Sequence, residues 1–559
     1  MLTKLRMNLD CKFKTFLFIV AFLLLLNFNS KSQDTIIVKA FTWEDPSPEG
    51  WGASYKKTVH FPDSGQWRKI IMVQHLKCDE RTKGDSFPCG EWDYFTNTVL
   101  HISKNGDFEK FEIGSFVTPY GKRLKMGGED GWKWEYDITD YAPILKGNIL
   151  LETGNNQELL DLTFLFISGT PPRNVISVKN IWPNGIYTYE KLADDSVLQK
   201  TGFLINSQAE TFSIKARISG HRHFGPQNCC EWDNKTHGYS FGEDKFVRWN
   251  VWKDCGFNPI YPQGGTWPFN RAGWCPGTKV DEYDFNITDY GFPNDSIYVD
   301  YFIENYQNNG EKGGEYRMSH QLFEFGKANF NNDAEILEII APSKKDEYSR
   351  INPICANPVI KIRNSGKNVL YSLKIVYGSA NSKKTSEYQW KGALKFMETT
   401  EITLPEFDYS SKIFFAELLL PNGEIDENKE NNKLSSLVPE ITRLPQKFII
   451  HIETNDKGRA KENQTIITNS MGNPVFSANN YTDSTEYNHQ ISLTPGCYKF
   501  RFTDKLEDGM VMHWWYWNSN RELVGKNGKI SILDFETKKE ILNFPYDFGQ
   551  ELLLNFIVE

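Results

Sequence analysis

The chain has 559 residues, of which 39% are hydrophobic and 14% aromatic, and its formal net charge is −9 at pH 7. One hydrophobic core does not support a chain of this length, so we expect several domains. The apolar content excludes a wholly disordered chain. The acidic balance disfavours nucleic acid and anionic membrane surfaces as partners, because both repel a negatively charged protein.

The first 33 residues have the pattern of an export signal. Basic side chains precede an unbroken apolar run from Phe16 to Leu26. This run is shorter than the roughly twenty residues that a helix needs to span a bilayer, so we interpret residues 1–33 as a signal peptide rather than an anchor. We therefore expect a secreted, periplasmic or cell-surface protein without membrane insertion.

Eight cysteines follow this segment, and export carries them into an oxidising compartment where disulfides persist. We expect disulfides at Cys78 and Cys89, and at Cys255 and Cys275, which lie twenty residues apart. The sequence leaves open the partners of four cysteines: Cys229, Cys230, Cys355 and Cys497.

Short runs that alternate between apolar and polar residues dominate the rest of the sequence. Such runs, bounded by Gly, Pro, Asn or Asp, predict β-strands, and long helical periodicity is absent. Strands without intervening helices predict an all-β protein of antiparallel sandwiches or jelly rolls. The clearest runs are 98–102, 160–167, 296–304, 369–377 and 448–453.

Turn-forming and charged segments at 169–172, 341–345 and 437–446 predict where the chain divides. The third part has the strand spacing of an immunoglobulin-like sandwich, and the fourth contains the aromatic cluster Trp514–Trp517. The predicted domains are 34–170, 171–343, 346–445 and 446–559.

One pattern, Cys-x-Glu-Trp-Asp, occurs at 89–93 and again at 229–233, once in each of the first two predicted domains. Chance recurrence of four identities in register is improbable. Two sandwiches that each present a carboxylate beside an indole can face each other across a cleft, and ligand sites gather in clefts between domains.

Asp93 and Glu231 are the candidate acid–base pair. Each is adjacent to a tryptophan and close to a cysteine, and partial burial there raises a carboxyl pKa and separates the roles of two acids. The competing interpretation is structural, a strand end with a core tryptophan and solvated acids, and it suits one copy of the pattern better than two.

A second candidate is Arg271, in the segment 269–277. Its guanidinium offers donors for carboxylate or sugar oxygens, and Trp274 offers a ring face. A long loop pinned by Cys255 and Cys275 is the compatible structural interpretation.

Three histidines, His221, His223 and His237, lie near Cys229 and Cys230, and such residues can bind zinc or copper. Thiols in an exported chain are more often oxidised, and the spacing matches no compact metal motif. We therefore predict no metal, and keep a zinc or copper oxidoreductase as an alternative. The patterns of a serine nucleophile elbow, an HExxH helix and a P-loop are absent from the sequence.

These segments, taken in order from about Asp34 to Ala341, resemble the bacterial peptide-N-glycosidase F family. The resemblance implies two eight-stranded antiparallel jelly rolls side by side, followed here by the immunoglobulin-like sandwich and a further β domain. It also implies an active site between the jelly rolls, with no metal and no cofactor. The matching segments are 89–93, 114–120, 151–153, 169–171, 218–220, 229–232 with 236–237, 258–260, 271–277 and 308–310.

The resemblance assigns roles to individual residues. The family's essential Asp falls on Asp93, its two supporting Glu residues fall on Glu231 and Glu152, and its loop Arg falls on Arg271. It implies a monomeric amidase that hydrolyses the bond between Asn and the first N-acetylglucosamine of N-linked glycoproteins or glycopeptides, releasing the glycan and leaving Asp. The expected substrate-binding residues are Arg271, Trp232, Trp274, Trp92, Tyr94, His221 and Tyr120.

Several positions depart from the family's pattern. Tyr94 stands where Arg is common, His221 stands where Trp is frequent, and Gly121 follows Tyr120 in place of another Trp, so we expect a different glycan range. The cysteine two residues past the Glu is replaced by Asp233. Either Cys229 or Cys230 is therefore expected to pair elsewhere or to stay free.

Two rival functions use the same features. An endo-glycoside hydrolase acting through the same carboxylates would leave one sugar on Asn. A non-catalytic glycan-binding protein needs only the sandwiches and surface tryptophans. For the two C-terminal domains we expect spacers rather than binding modules.

Overall fold

The computed structural model describes residues 35–45, 48, 53–79, 87, 89–104, 106–124, 131–154, 158–223, 229–305, 313–380, 384–405, 407 and 411–559. The predicted signal peptide and the matching segment 308–310 lie outside these residues. Within them, no helix has the length and apolar character needed to cross a membrane.

The first sandwich has eight strands in two four-stranded antiparallel sheets, with the orders β1-β8-β3-β6 and β2-β7-β4-β5. This is the strand order of a jelly roll. Its strands are β1 (Thr35–Phe41), β2 (Ser54–Phe61), β3 (Trp67–Cys78), β4 (Phe95–Lys104), β5 (Asp107–Val117), β6 (Trp132–Asp137), β7 (Gly147–Gly154) and β8 (Glu158–Ser168).

The second sandwich repeats this connectivity, with the orders β9-β16-β11-β14 and β10-β15-β12-β13. One short helix, α1 (Tyr189–Ala193), follows its first strand. Its strands are β9 (Arg173–Thr188), β10 (Thr201–Leu204), β11 (Thr211–His221), β12 (Lys235–Ser240), β13 (Phe246–Val251), β14 (Glu282–Asn286), β15 (Ser296–Ile303) and β16 (Glu315–Ala328).

A third sandwich consists of the sheets β17-β18-β21 and β20-β19-β22-β23. Seven strands is also the number in a constant-type immunoglobulin sandwich. They are β17 (Ala334–Ala341), β18 (Val359–Asn364), β19 (Leu370–Ser379), β20 (Thr385–Leu394), β21 (Thr399–Thr403), β22 (Ile413–Leu419) and β23 (Lys433–Leu437).

The fourth sandwich consists of the sheets β24-β32-β29-β26-β27 and β28-β25-β30-β31, in which β24 is parallel to β32. A disulfide between Cys355 and Cys497 joins it to the third sandwich. Its strands are β24 (Thr442–Leu444), β25 (Lys447–Glu453), β26 (Asn463–Asn469), β27 (Pro474–Ala478), β28 (Glu486–Ser492), β29 (Gly496–Asp504), β30 (Lys529–Asp534), β31 (Glu540–Phe544) and β32 (Glu551–Val558).

The predicted all-β fold class is confirmed, and each of the five predicted runs coincides with a strand to within a few residues. Strand β8 shows why the pattern is informative: Leu160, Leu162, Phe164 and Phe166 are all fully buried, and the residues between them are not. Alternate side chains of a strand point to opposite faces of the sheet, so this alternation marks one face as core.

Two strands correct the predicted boundaries. Residues 334–341 were assigned to the second domain, but β17 pairs with β18 of the third sandwich. Residues 442–444 were assigned to the third domain, but β24 pairs with β32 of the fourth. A turn signal marks where a strand ends, and it carries no information about the sheet that the strand joins.

The two jelly rolls are connected by backbone hydrogen bonds. At the end of β5, Val117 O accepts from Gly277 N at 2.8 Å, and Val280 N donates to Ser115 O at 2.9 Å. The indole of Trp134 also donates to Gly277 O at 3.1 Å. The loop of the second sandwich that precedes β14 therefore extends a sheet of the first sandwich. This pairing fixes the cleft between the two jelly rolls.

The fourth sandwich packs on the same loop. The indole of Trp267 donates to Asp547 Oδ1 at 2.8 Å, and Arg123 of the first sandwich forms an ion pair with Asp547. Gln550 N donates to Gly256 O at 2.9 Å. These contacts fix the position of the C-terminal sandwich against both jelly rolls.

Two core histidines of the second sandwich predict sensitivity to acid. Burial lowers the pKa of His237 and of His320 to about 3. The His237 ring is hydrogen-bonded to the Tyr301 hydroxyl, and the His320 ring is hydrogen-bonded to the Tyr239 hydroxyl. Between pH 6.5 and 3 the unfolded chain binds protons that the folded chain does not, so stability is complete above pH 6.5 and is lost as the pH falls.

We expect His320→Gln to reduce the slope of unfolding free energy against pH in this window by about one proton, or roughly 1.4 kcal/mol per pH unit. Chemical denaturation at a series of pH values measures the slope. The exposed His60 provides the control His60→Gln, which should leave it unchanged. An equal slope in His320→Gln and the native chain would contradict the prediction.

Candidate active site

Asp93 lies two residues before β4, at the edge of the cleft between the jelly rolls. The disulfide Cys78–Cys89 closes the loop before it. Tyr94 N donates to Thr118 Oγ1 at 2.7 Å, and Thr118 N donates to Tyr94 O at 2.9 Å. These bonds tie the backbone next to Asp93 to the residues that follow β5, while Asp93 keeps part of its surface open to solvent.

Residues 253–277, which we call the Arg271 loop, form the opposite wall. The disulfide Cys255–Cys275 closes this loop, and Lys253 and Arg271 exchange backbone hydrogen bonds of 2.8 and 3.2 Å. Gly273 has φ +81°, and a Cβ there would lie 2.2 Å from Ile218 O, so the Arg-Ala-Gly-Trp turn requires glycine.

Arg271 has no exposed surface. Its Nε donates to Glu231 Oε1 at 3.2 Å, and its two terminal nitrogens donate to Phe269 O at 2.6 Å and to Thr266 O at 2.9 Å. The guanidinium lies 4.2 Å from the ring centroid of Trp232. Arg271 was expected to bind substrate, but its burial leaves it no direct contact with a sugar. Its charge acts on neighbouring carboxylates instead.

Glu231 is positioned by two backbone bonds. Its N donates to Arg222 O at 3.0 Å, and its O accepts from Ala272 N at 3.0 Å. The side chain is 14% exposed, and His223 Nδ1 lies 3.9 Å from Glu231 Oε2. Glu231 therefore presents a carboxylate to the cleft from the second sandwich.

The two acids share one electrostatic environment. Burial raises the pKa of Asp93 from 3.8 to about 7, the charge of Arg271 opposes this shift, and the charge of Glu231 adds to it. A hydrogen bond from Tyr120 also stabilises the Asp93 carboxylate. Because the Arg271 and Glu231 charges both act on Asp93, the structure brings together an acid from each jelly roll.

Tyr120 closes the site from the side of the first sandwich. Only 6% of its surface is exposed, and its N donates to Gln263 Oε1 at 2.9 Å. Its hydroxyl contacts both Asp93 and Thr266. Burial, followed by the Asp93 charge, raises the pKa of Tyr120, so this hydroxyl remains a hydrogen-bond donor.

His221 lies further along the cleft. Its Nε2 is 2.8 Å from Ser219 Oγ, and its ring stacks on Trp274 at 5.2 Å and meets the edge of Phe95 at 5.7 Å. Burial lowers the pKa of His221, and the charges of Arg317 and Arg271 add to this effect. The ring is therefore neutral near pH 7.

Glu152 occupies a separate part of the cleft. Its oxygens accept from Ser54 Oγ at 2.9 Å and lie 2.8 Å from His101 Nε2, and Lys56 Nζ is 3.1 Å away. Burial favours the neutral form, but bonds from Lys56, Ser54 and His101 outweigh it and lower the pKa of Glu152. The partners of Glu152 are Ser54, Lys56 and His101, whereas Arg271, Glu231 and Tyr120 act on Asp93.

A cavity of about 190 Å³ contains Glu152 between β4 and β7 on one side and β9 and β16 on the other. It continues the cleft along the jelly-roll interface, because Phe95 both lines it and contacts His221. Its lining residues are Phe95, Asn97, Val99, Lys110, Glu112, Glu152, Asn184, Gly185, Ile186, Arg317 and Met318.

The aromatic residues expected to bind substrate differ in exposure. Trp92 is 52% exposed, and Trp232 and Tyr94 are partly exposed. Trp274 is a correction: only 2% of it is exposed, its indole donates to Gly220 O at 2.7 Å, and His221 and Arg271 lie against its ring. It supports the wall of the cleft and offers no ring face to a sugar.

The cysteines beside Glu231 are a second correction. Cys229 and Cys230 form a disulfide with each other, so neither pairs elsewhere or stays free. His237 is fully buried and bonded to the Tyr301 hydroxyl at 2.6 Å. Among the described residues no three His, Cys, Asp or Glu side chains are grouped to hold a metal ion.

The sequence did not identify Thr266, Phe269 or Trp515 as part of the site. Thr266 carries two acceptors for Arg271, and Phe269 lies between Trp232 and Trp515 at centroid distances of 6.3 and 5.2 Å. Thr266 and Phe269 are close to Arg271 in sequence, and this nearness indicates that they belong to the same site. No sequence signal links Trp515 to a loop more than two hundred residues earlier.

Comparisons with known proteins found sequence similarity to one family. Residues 188–323 match the family model described as Peptide-N-glycosidase F, C terminal. Over 314 residues the chain is 27% identical to peptide-N(4)-(N-acetyl-beta-D-glucosaminyl)asparagine amidase F of Elizabethkingia miricola, a match that covers 51% of this chain and 82% of that protein.

Two solved structures are also similar. A crystal structure of peptide-N(4)-(N-acetyl-beta-D-glucosaminyl)asparagine amidase has 24% identity and a TM-score of 0.46, and the match covers 52% of this chain and 96% of that one. The structure of PNGase F, a glycosylasparaginase from Flavobacterium meningosepticum, has 24% identity, a TM-score of 0.44 and the same coverage.

The first half of the chain is thus a pair of jelly rolls with a carboxylate site at their junction. Within these two sandwiches the chain is similar to the peptide-N-glycosidase F family.

The electrostatic coupling of the two acids is testable. We expect Glu231→Gln to lower the pKa of Asp93 from about 7, because the Glu231 charge is one of the causes that raise it. A ¹³C NMR titration of labelled aspartate carboxyl groups measures the change. Glu243→Gln, at an exposed site of the same sandwich, should have no effect. An unchanged or raised pKa in Glu231→Gln would show that the two carboxylates do not interact.

Proposed function

We propose that the chain is an exported peptide-N4-(N-acetyl-beta-glucosaminyl)asparagine amidase. It hydrolyses the amide that joins an asparagine side chain to the first sugar of an N-glycan. One observation carries this proposal: Asp93 of the first jelly roll and Glu231 of the second both lie in the field of the buried Arg271. The similarity to the Elizabethkingia miricola amidase supports the same reaction class. The substrates are N-linked glycoproteins or glycopeptides, and the chain acts as a monomer.

Asp93 is the general base in this proposal. A base works best when its pKa is near the working pH, and the pKa of Asp93 is about 7. The Asp93 carboxylate takes a proton from water, whose oxygen attacks the carbonyl carbon of the side-chain amide. The proton held by Asp93 then passes to the amide nitrogen, the C–N bond breaks, the glycan leaves as a glycosylamine, and aspartic acid remains on the peptide.

Glu231 holds the departing side of the amide. Its ion pair with Arg271 at 3.2 Å fixes the carboxylate, which can accept a hydrogen bond from the substrate N–H. Glu231 N donates to Arg222 O, and Glu231 O accepts from Ala272 N of the Arg271 loop, so the backbone of Glu231 is held on both sides. Arg271 contributes charge and position, because its donors are engaged by the protein.

Glu152 binds substrate rather than water. Its carboxylate lines the 190 Å³ cavity and is held by Ser54, Lys56 and His101, so it can accept hydrogen bonds from a sugar or peptide that lies along the cleft. Trp92 and Trp232 provide partly open ring faces nearer to Asp93.

The first test is the product formed from a denatured N-glycoprotein. Wild-type protein should release intact glycan and convert each occupied Asn to Asp, and Asp93→Asn should lower the rate by roughly a hundredfold or more, as expected for loss of a general base. Mass spectrometry of glycan and peptide measures both. Asp63→Asn, at an exposed site of the first sandwich, is the matched control.

Three results would contradict the proposal. A single sugar left on Asn would identify an endo-glycoside hydrolase. Binding without product would identify a glycan-binding protein. Normal release by Asp93→Asn would remove Asp93 from the mechanism.

The pH dependence tests the role of Asp93 as a base. Activity should rise with pH through about 7, since only the ionised carboxylate accepts a proton. Tyr120→Phe removes a hydrogen bond that stabilises this carboxylate, so the pKa of Asp93 should rise and the acidic limb of kcat/KM should move to higher pH.

The plateau at high pH should be largely retained in Tyr120→Phe. Tyr298→Phe, at an exposed tyrosine of the second sandwich, should leave the profile unchanged. A limb that stays in place or moves to lower pH in Tyr120→Phe would refute this assignment.

A further inference from the structure

The loop between β29 and β30 of the fourth sandwich presents an unusual run of rings, His513–Trp517, which we call the aromatic segment. Trp514 is 38% exposed and Trp517 is 51% exposed. The backbone is held by hydrogen bonds from His513 N to Val524 O at 2.9 Å and from Trp517 N to Trp514 O at 2.9 Å. Large exposed apolar rings on an ordered backbone mark interaction sites.

The aromatic segment is in contact with the candidate active site. Trp515 meets Phe269 edge-on at a centroid distance of 5.2 Å, and Phe269 meets Trp232 edge-on at 6.3 Å. The guanidinium of Arg271 lies 4.2 Å from the Trp232 ring. An unbroken row of side-chain contacts therefore runs from the charge beside Glu231 to the surface of the fourth sandwich.

The position of the aromatic segment relative to the cleft is fixed by polar contacts. Glu507, in the same loop, bonds to the side chain of Asn270, the residue that precedes Arg271. Asp547 accepts from the indole of Trp267 in the Arg271 loop. The third sandwich adds Arg350, which donates to Asn258 O and to Phe548 O, both at 2.8 Å.

The chemistry of the aromatic segment fits carbohydrate. Its rings are accompanied by polar side chains: the Arg521 guanidinium lies 4.4 Å from the Trp517 ring centroid, and Asn518 and Asn520 are exposed. Flat rings suit the apolar face of a pyranose, and amide and guanidinium groups suit its hydroxyls. A surface for an aliphatic partner would instead be rich in branched aliphatic side chains.

We propose that the aromatic segment is a carbohydrate subsite that binds outer sugars of the glycan whose asparagine linkage lies at Asp93 and Glu231. This inference rests on the proposed amidase function. It gives the fourth sandwich a role in substrate selection, in place of the spacer role expected from the sequence.

Two glycopeptides with the same peptide test the subsite: one carries a full branched N-glycan, and the other carries a glycan trimmed to its two core N-acetylglucosamines. Replacing Trp514 and Trp517 together by Ala should raise KM for the full glycan roughly tenfold, the factor that corresponds to a loss of about 1.4 kcal/mol of binding. KM for the trimmed substrate and kcat for both should not change.

Two further variants make the test specific. Replacing both tryptophans by Phe should restore most of the affinity, because a ring face is retained. Tyr371→Ala, at a tyrosine that is 60% exposed in the third sandwich, should behave as wild type. Circular dichroism and Tm verify that the double Ala variant folds.

Each other outcome has a defined meaning. If the double Ala variant changes KM equally for both substrates, or for neither, the subsite proposal is overturned. A change in KM that follows peptide length instead of glycan size would also overturn it. Should the wild type cleave neither substrate, the amidase proposal fails by itself. Titration of free branched oligosaccharide into the full-length chain, followed by tryptophan fluorescence, then decides the subsite: weaker binding by the double Ala variant supports it, and equal binding overturns it.

Discussion

The site depends on a buried guanidinium that must be compensated. Arg271 has no contact with solvent, so each of its donors needs a protein acceptor and its charge needs a nearby carboxylate. Backbone carbonyls of its own loop, Thr266 and Glu231 meet this requirement. The compensation determines the rest of the geometry: Glu231 is drawn to Arg271, and the loop is folded back on itself. Asp93 then lies near this positive charge, which offsets part of the free-energy cost of burying its carboxylate.

Every sandwich helps to hold that loop. The first provides the β5 edge, the second provides both ends of the loop, the third contributes Arg350, and the fourth contributes Asp547. Because Cys355–Cys497 joins the last two, the C-terminal half is attached to the cleft wall at several independent points. Its contact with the active site is therefore a consequence of how the loop is stabilised, and this arrangement gives an added sandwich the means to influence substrate binding.

The sequence predicted the features that follow from local residue patterns or from resemblance to a known family. Alternation in runs such as 160–167 identified the strands, and the repeated Cys-x-Glu-Trp-Asp pattern identified both acids of the cluster. It could not predict which sheet β17 joins, that Cys229 bonds to Cys230, or that Trp274 lies under His221. These outcomes depend on long-range pairing and on side-chain layers, which a single sequence encodes only through the complete fold.

The internal repeat is not used symmetrically, and this explains how two similar loops give two different acids. In the first copy the proposed base is Asp93, the last residue of the pattern, whereas in the second the proposed partner is Glu231, two residues earlier. Asp233, which corresponds to Asp93, forms an ion pair with Lys235 at 2.7 Å, and Arg271 lies beside Glu231 instead. Two acids related by a strict repeat would have similar surroundings. Because Lys235 engages Asp233 and the Arg271 loop belongs to the second sandwich, the two copies of the pattern have different surroundings, and each contributes a different acid to the cluster.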